Sequence, residues 1–272
     1  MSDRVTLFKV YERPISIMGK NGTAYPINGY KAIVRGNGDN PFKPITLGVV
    51  SDNYKVIQTT DVVEHIEREL ARCGLNNPII KSRIAYDGAH TYDEYKFPTN
   101  AERVLNSMVH FKVTLKNSYD GTSRVALFTG GEYLACLNGM VISDTDLFTK
   151  RHIGDLLMPN MLDYLKRGLD DFYTSGDQWR TWAKRELSLA QSEALLKAAP
   201  NANETLITKL RSYYDEELTG RTLWGMYNAG TAYATHGAIR RSTNDNEATI
   251  RMDRTLFVRN WTRTAEWKKL AA

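Results

Sequence analysis

The chain has 272 residues, of which 42% are hydrophobic and 25% charged, and its net charge is +5. These values are typical of a globular protein with a sizeable core and exclude a disordered chain. No apolar run approaches the ~18 residues of a membrane-spanning helix, and the N-terminus lacks a signal-peptide pattern. We therefore expect a cytoplasmic protein that makes no membrane contact.

Cysteine and histidine content argues against a disulfide framework and a metal centre. Cys73 and Cys136 are the only cysteines, which favours buried thiols in a reducing compartment. The two cysteines and five histidines do not have the spacing of metal ligands. We expect neither a metal nor another cofactor.

The positive charge is concentrated at the C-terminal end. From Arg221 onward the chain carries nine Lys or Arg and four Asp or Glu, an excess that equals the net charge of the whole chain. Such a tail favours a polyanion if its side chains cluster, although a solvated basic helix face explains the same pattern. Its candidate contacts are Arg240, Arg241, Arg251 and Arg254.

The first 75 residues predict a sheet followed by one helix. Residues 3–36 contain short strands separated by glycine turns, and residues 47–61 predict a strand, a turn at Asp52-Asn53, a second short strand and a helix start. Asp61 and Glu64 have the spacing of a capping-box variant, and Gly74 ends the helix. The expected buried face consists of Val62, Val63, Ile66, Leu70 and Cys73.

Residues 78–97 predict a hairpin around Asp87-Gly88 in which basic and aromatic residues alternate. Such a strip stacks bases and holds phosphates in proteins that bind single strands. Tyrosines also pack at half-buried strand positions, which is the alternative explanation. The candidate contacts are Lys81, Arg83, Tyr92, Tyr95 and Lys96.

A second hairpin is predicted from residues 104–142, with its turn at Asp120-Gly121. The register that follows from a two-residue turn places Leu115 opposite Ala126 and Val113 opposite Phe128. Lys112 and Lys116 then point away from the apolar face, either into solvent or toward phosphates. We add these two lysines and Arg124 to the candidate nucleic-acid contacts.

The C-terminal half predicts helices. Apolar residues repeat at three and four over residues 155–216, with breaks at Gly176 and Pro200. A further helix is predicted at 222–236, where Asn228 and His236 either bind a ligand or satisfy buried polar groups. We therefore predict an α+β fold, an antiparallel hairpin-rich sheet with a packing helix followed by a helical region. The expected boundaries are 1–150 for the sheet-and-helix core and 151–272 for the helical region, packed as one unit.

Three stretches resemble a phage- and plasmid-encoded family catalogued as domain of unknown function nine-three-two. They are VVSDNYKVI at 49–57, NSYDGTSRVAL with LACLNGM at 117–140, and TLWGMYNAGTAYATH at 222–236. The family pattern has an Arg before its "VC-x-N" element, whereas this chain has the segment Glu132-Tyr133-Leu134-Ala135-Cys136 at that place. The family resembles single-strand annealing recombinases, which implies a ring or filament of subunits around single-stranded DNA.

We therefore expect a non-catalytic protein that binds and anneals single-stranded DNA in phage or plasmid recombination and replication, with no catalytic residue. One alternative is a phage factor that binds a host or defence protein. The other is a metal-dependent nuclease that uses Asp144 and Asp146 with Glu132 or Asp155. Paired acids of this kind more often cap a helix or lie in a turn.

Overall fold

The computed structural model describes residues 4–36, 43–133, 138–141, 148–153, 160–216, 220–239 and 247–272. They form the predicted α+β fold, with two antiparallel sheets followed mainly by helices. Among the described helices, none combines the length and apolar character that a membrane crossing requires.

The first sheet contains β1 (Val10–Met18), β2 (Ala24–Arg35) and β3 (Ile45–Ser51) in that order. It confirms the predicted N-terminal sheet. The second short strand predicted after Asp52-Asn53 is wrong, because Tyr54 and Lys55 bond elsewhere. The Tyr54 hydroxyl donates to the carbonyl of Ser118, and the Lys55 amide donates to that of His152.

At the turn between β1 and β2, the first sheet continues as a two-stranded ribbon. β3 pairs with β2 only from Tyr30 onward, so the stretch in which Ile17 pairs with Tyr25 has no third strand. Ile17 and Met18 are 62% and 68% exposed, and Tyr11, Tyr25 and Tyr30 are also exposed. The ribbon therefore presents apolar side chains to solvent.

The second sheet holds the candidate nucleic-acid contacts of both predicted hairpins. Its main strands run in the order β4-β5-β6-β7-β8, and β9 also pairs with β7. The strands are β4 (Ile79–Ala85), β5 (His90–Val104), β6 (Ser107–Ser118), β7 (Val125–Tyr133), β8 (Asn138–Val141) and β9 (Phe148–Lys150). The hairpin predicted around Asp87-Gly88 is confirmed, and both turn residues have positive φ.

The central hairpin forms, but its predicted register is wrong by one residue. Leu115 pairs with Leu127 rather than Ala126, and Val113 pairs with Thr129 rather than Phe128. The connection spans residues 119–124 instead of two residues. Asp120 fixes this longer turn by accepting hydrogen bonds from the amide and hydroxyl of Thr122.

The predicted first helix is α1 (Thr59–Arg72), which buries Val62, Val63, Ile66 and Leu70, whereas Cys73 follows the helix and is only half-buried. Gly74 follows it with a φ of +76°, as predicted for a helix end. The predicted capping box is wrong, because the helix begins before Asp61 and Gln58 supplies no side-chain cap. The hydroxyl of Tyr119 instead accepts a hydrogen bond from the Thr59 amide.

The helices after the sheet are α2 (Met161–Lys184), α3 (Leu189–Lys197), α4 (Glu204–Asp215), α5 (Leu223–His236), α6 (Glu247–Trp261) and α7 (Ala265–Ala271). The break at Pro200 is confirmed, but the break at Gly176 is wrong because α2 continues through it. A Cβ at Gly176 would lie 2.5 Å from the Glu102 carboxylate. Glycine here therefore allows close packing of α2 on β5.

The core lies between α2 and the second sheet and continues into the helices. Phe111 of β6 contacts Phe172 of α2, with ring centroids 5.3 Å apart. All five tryptophans are buried in the helical half of the chain, and neighbouring aromatic rings connect them. They are Trp179, Trp182, Trp224, Trp261 and Trp267.

A smaller core joins the two sheets. Val10, Ile33 and Val50 of the first sheet pack with Ala89 and Tyr119 at the corners of the second. Gly48 of β3 lies so close to the turn after β6 that a Cβ would be 2.5 Å from the Asp120 Cα. The first sheet is therefore fixed against this turn.

Candidate nucleic-acid interface

The register of the second sheet brings six of the predicted contacts onto one face. Alternate residues of β6 point to opposite sides, so Phe111, Val113 and Leu115 face the helices and Lys112 and Lys116 face away. We call the second side the outer face. Pairing across β4, β5 and β6 places the following residues on it: Lys81, Arg83, Tyr92, Lys96, Lys112 and Lys116.

Two carboxylates on the outer face partly neutralise these cations. Glu94 lies 3.0 Å from the Arg83 guanidinium and 4.0 Å from the Lys112 ammonium. Although burial opposes ionisation of Glu94, Lys112 and Arg83 hold its pKa below the usual value. The Lys96 ammonium lies 2.8 Å from Glu132. Cations therefore outnumber carboxylates five to two in the centre of this face.

Lys81 and Lys116 make no ion pair among the described residues. Lys81 is exposed. Lys116 is half-buried, its Nζ lies 5.9 Å from the centre of the Tyr92 ring, and burial lowers its pKa. Glu94 lies near enough to Lys81, and Asp253 and Asp120 near enough to Lys116, to interact electrostatically, but no carboxylate among the described residues contacts either ammonium directly.

The two candidate stacking tyrosines are both buried. Tyr95 belongs to the core on the helix side, and its hydroxyl accepts a hydrogen bond from Arg4. Tyr92 is on the outer face but only 3% exposed, and its hydroxyl lies 2.7 Å from that of Thr249 on α6. Neither ring offers an open surface to a base, so the structure places both outside a stacking role.

A hydrogen-bonded chain connects Tyr92 to the turn after β6. His90 lies between Thr249 and Asp120, with its Nε2 2.9 Å from the Asp120 carboxylate. Although burial opposes ionisation of Asp120, hydrogen bonds from His90 and Thr122 lower its pKa to about 2. This chain fixes the start of α6 against the sheet and fixes the shape of the turn.

The arginines of α6 bind the end of α5. Arg254 donates to the carbonyls of Gly237 and Ala238 and lies over the Tyr233 ring, while Arg251 donates to the carbonyl of Thr235 and to Glu247. These cations satisfy carbonyls at a helix C-terminus. The structure therefore does not bring Arg251 and Arg254 to the outer face, and Arg240 and Arg241 lie outside the described residues.

Arg124 lies at the edge of a cleft that sequence reasoning missed. It directly precedes β7, two residues before Ala126, which pairs with Lys116. The cleft has a volume of about 320 Å³ and brings Arg124 together with Tyr54, Arg151 and His152. We call it the Arg124–Arg151 cleft. Tyr54 belongs to the VVSDNYKVI motif, but nothing in the sequence indicated that residues 151 and 152 lie beside it.

The residues weighed for metal chemistry do not form a site where they are described. Glu132 pairs with Lys96, whereas Asp144, Asp146, Asp155 and Cys136 lie outside the described residues. Among the described residues, no group of His, Cys, Asp or Glu is arranged to hold a metal ion.

Comparison with known families decides which family the chain belongs to. The sequence profile described as "Domain of unknown function (DUF932)" matches residues 46–256, well over half of the chain. The chain belongs to the DUF932 family. The match covers the outer face and the Arg124–Arg151 cleft, whereas β1 and β2 precede it. No curated protein and no solved structure matches this DUF932 chain significantly.

Proposed function

We propose that this DUF932 protein binds and anneals single-stranded DNA without catalysing a reaction. The observation that carries the proposal is the outer face, where residues from β4, β5 and β6 place five cations on one sheet surface. Nucleic-acid binding draws much of its free energy from such cations, because they displace the counterions that surround the phosphates.

The ion pairs of the outer face divide its cations into two groups. Lys81, Lys116 and Arg124 make no ion pair among the described residues, so we assign them the first phosphate contacts. Arg83, Lys96 and Lys112 contact Glu94 or Glu132, so they bind a phosphate only by exchanging or sharing that partner. Binding is therefore sensitive to salt and to changes in the carboxylates.

The wider part of the proposal concerns origin and assembly. The order of one helix, two hairpins and a long helix is compatible with the core of single-strand annealing recombinases, to which members of the DUF932 family look related. We infer a phage or plasmid protein of recombination and replication that acts in the host cytoplasm. A ring or filament of identical subunits joins short sites into one continuous track.

The test is fluorescence anisotropy with labelled single-stranded and duplex oligonucleotides at two salt concentrations, with light scattering to measure the oligomer. We expect salt-dependent binding, a preference for single strands and a species of several subunits. Annealing is measured with complementary strands, one carrying a donor fluorophore and the other an acceptor. Absence of binding at low salt would contradict the proposal.

A second candidate, binding of a host or defence protein, is favoured by the ribbon formed by β1 and β2. Its exposed Ile17, Met18 and Tyr25 side chains are apolar, and exposed apolar patches are typical of protein contacts. A stable complex with one host protein, lost in an Ile17→Asp/Tyr25→Asp double variant and combined with no affinity for DNA, would favour this function.

A further inference from the structure

The Arg124–Arg151 cleft is formed by three segments that are distant in sequence. The turn after β6 contributes Ser123 and Arg124, the segment after β9 contributes Arg151 and His152, and Tyr54 follows β3. Backbone bonds hold the segments together, since the Lys55 amide donates to the His152 carbonyl and the Tyr54 hydroxyl donates to the Ser118 carbonyl. The cleft is therefore fixed by the fold.

The aromatic part of the cleft is rigid and electrically neutral. The Tyr54 and His152 rings stack with centroids 4.7 Å apart and planes only 10° from parallel. They are 8% and 5% exposed, respectively. Burial lowers the pKa of His152 to about 4, so its imidazole is uncharged at neutral pH.

Two buried polar atoms at the cleft have no hydrogen-bond partner among the residues that the structure describes. They are the hydroxyl oxygen of Ser123 and Nε2 of His152. Nδ1 of the same imidazole lies 3.3 Å from the Lys55 carbonyl, which fixes the ring. Buried polar groups in folded proteins are nearly always satisfied. Because Nδ1 faces a carbonyl oxygen and carries the proton, Nε2 is an acceptor that a water completes, whereas the Ser123 hydroxyl is able to donate to a ligand.

The charge of the cleft indicates an anion. Arg124 and Arg151 are exposed, and neither makes an ion pair or side-chain hydrogen bond within the part of the chain that the structure describes. No carboxylate lines the cleft among the described residues, although Asp120 lies near enough to interact electrostatically with Tyr54 and His152, while Ser51, Asn53 and Thr122 add hydroxyl and amide groups. Guanidinium groups match the planar arrangement of phosphate oxygens and bind them with paired hydrogen bonds.

From these observations we propose that the Arg124–Arg151 cleft binds the phosphate monoester of a nucleotide. The two guanidinium groups hold the phosphate oxygens, and the Ser123 hydroxyl donates a further hydrogen bond after rotating about its side-chain torsion. The volume of about 320 Å³ is at the lower end of the range for ligand pockets, which suits one nucleotide rather than a larger ligand.

The phosphate monoester that binds in the cleft can belong either to a free mononucleotide or to the phosphorylated end of a DNA strand. The second source deepens the proposed binding of single strands and rests on it, since Arg124 lies beside the outer face. The first source is independent of that proposal. The experiment therefore measures small ligands before strands.

Isothermal titration calorimetry measures binding of inorganic phosphate, deoxyadenosine monophosphate and deoxyadenosine to the full chain. We expect saturable binding of the first two and none of the nucleoside. Arg151→Ala and Arg124→Ala should each weaken the monophosphate about ten-fold or more, the usual range for a hydrogen bond to a charged group. Arg167→Ala, which removes an exposed arginine from α2, is the matched control and should change nothing.

A second readout detects the cleft directly. The ¹⁵N chemical shifts of the His152 ring should change when deoxyadenosine monophosphate binds, and they should not change in Arg151→Ala at the same ligand concentration. Absence of phosphate and monophosphate binding at millimolar concentration, or binding that survives both arginine substitutions, would overturn the proposal.

Oligonucleotides with a 5′-phosphate or a 5′-hydroxyl then distinguish the sources. A preference for the phosphorylated strand that Arg151→Ala removes assigns the cleft to strand ends. Equal affinity for both strands, with retained monophosphate binding, assigns it to a free nucleotide. If strands do not bind at all while the monophosphate does, the single-strand proposal fails and the cleft proposal stands.

Discussion

The two faces of the second sheet are built from alternate residues of the same strands, yet they make opposite kinds of contact. Phe111 on the inner face is fully buried against the aromatic side chains of α2, whereas Lys112, the next residue, lies among the charges of the outer face. The inner face is needed for stability, whereas the outer face, which α6 partly covers at Tyr92, carries the cations that we propose contact a ligand. Substitutions at adjacent positions should therefore affect different properties.

The strongest test of this contrast is Phe111→Ala. Removing a buried phenyl group leaves a cavity between β6 and α2, so we expect the free energy of unfolding to fall by about 3–5 kcal/mol. Urea unfolding followed by circular dichroism measures it. Lys81→Ala on the outer face is the control and should change stability by less than about 0.5 kcal/mol. Equal losses in the two variants would abolish the distinction between the faces.

The next largest effect concerns pH and a buried group away from both faces. Burial lowers the pKa of His152 from 6.5 to about 4. Between these values the unfolded chain binds a proton that the folded chain does not, so stability falls as the pH drops below about 6.5. A shift of one pKa unit corresponds to ~1.4 kcal/mol, so this group should cost about 2 kcal/mol between pH 7 and pH 5.

Urea unfolding of the wild type and His152→Phe at the two pH values isolates this contribution. The pKa of His110 is also lowered by burial and acts in the same direction, so the variant should retain part of the pH dependence. Identical pH dependence of the two proteins would show that His152 titrates alike in the folded and unfolded chains.

Lys116→Gln tests the outer face as a binding surface. Loss of one phosphate contact should weaken single-strand binding by about 1 kcal/mol, roughly five-fold, and reduce the slope of log K against log salt by about 0.7. Anisotropy titrations at several salt concentrations measure both quantities. Lys184→Gln removes an exposed lysine of α2 and should leave the slope unchanged. A slope unaltered by Lys116→Gln would remove this lysine from the interface.

The smallest expected effect has the opposite sign. Glu94→Gln removes the charge that pairs with Arg83 and Lys112, so single-strand affinity should rise two- to three-fold, less than about 1 kcal/mol, with a steeper salt dependence. The same anisotropy titration measures it, and circular dichroism confirms that the variant is folded. Weaker binding by the folded variant would mean that Glu94 holds the two cations in the geometry that binding needs.

Much of the fold follows from local patterns, and the errors arise where distant residues compete. The alternation in β6, the hairpin at Asp87-Gly88 and the buried face of α1 were all predictable. The register at Leu115 was not, because the bonds of Asp120 lengthen the turn. The continuation of α2 through Gly176 was not predictable either. The glycine is explained by the close packing of Glu102, which belongs to β5.

Part of the candidate site was also predictable from the sequence. Period-two spacing indicated that Lys112 and Lys116 share a face, and the register confirms this arrangement. The burial of Tyr95 could not be predicted, because tyrosine is common on both faces of a strand and only the packing of the helices shows which face is buried. The Arg124–Arg151 cleft was hidden for another reason, since it depends on segments almost 100 residues apart.

The distribution of tryptophan gives the molecule an internal optical reporter. All five indoles lie between residues 179 and 267, buried in contact with other aromatic rings. Tryptophan emission therefore registers the packing of the helices and is almost silent about the second sheet. A DNA ligand on the outer face should leave emission unchanged. If tryptophan emission and the far-ultraviolet circular dichroism of the strands changed at different denaturant concentrations, the helices and the sheet would unfold in separate steps.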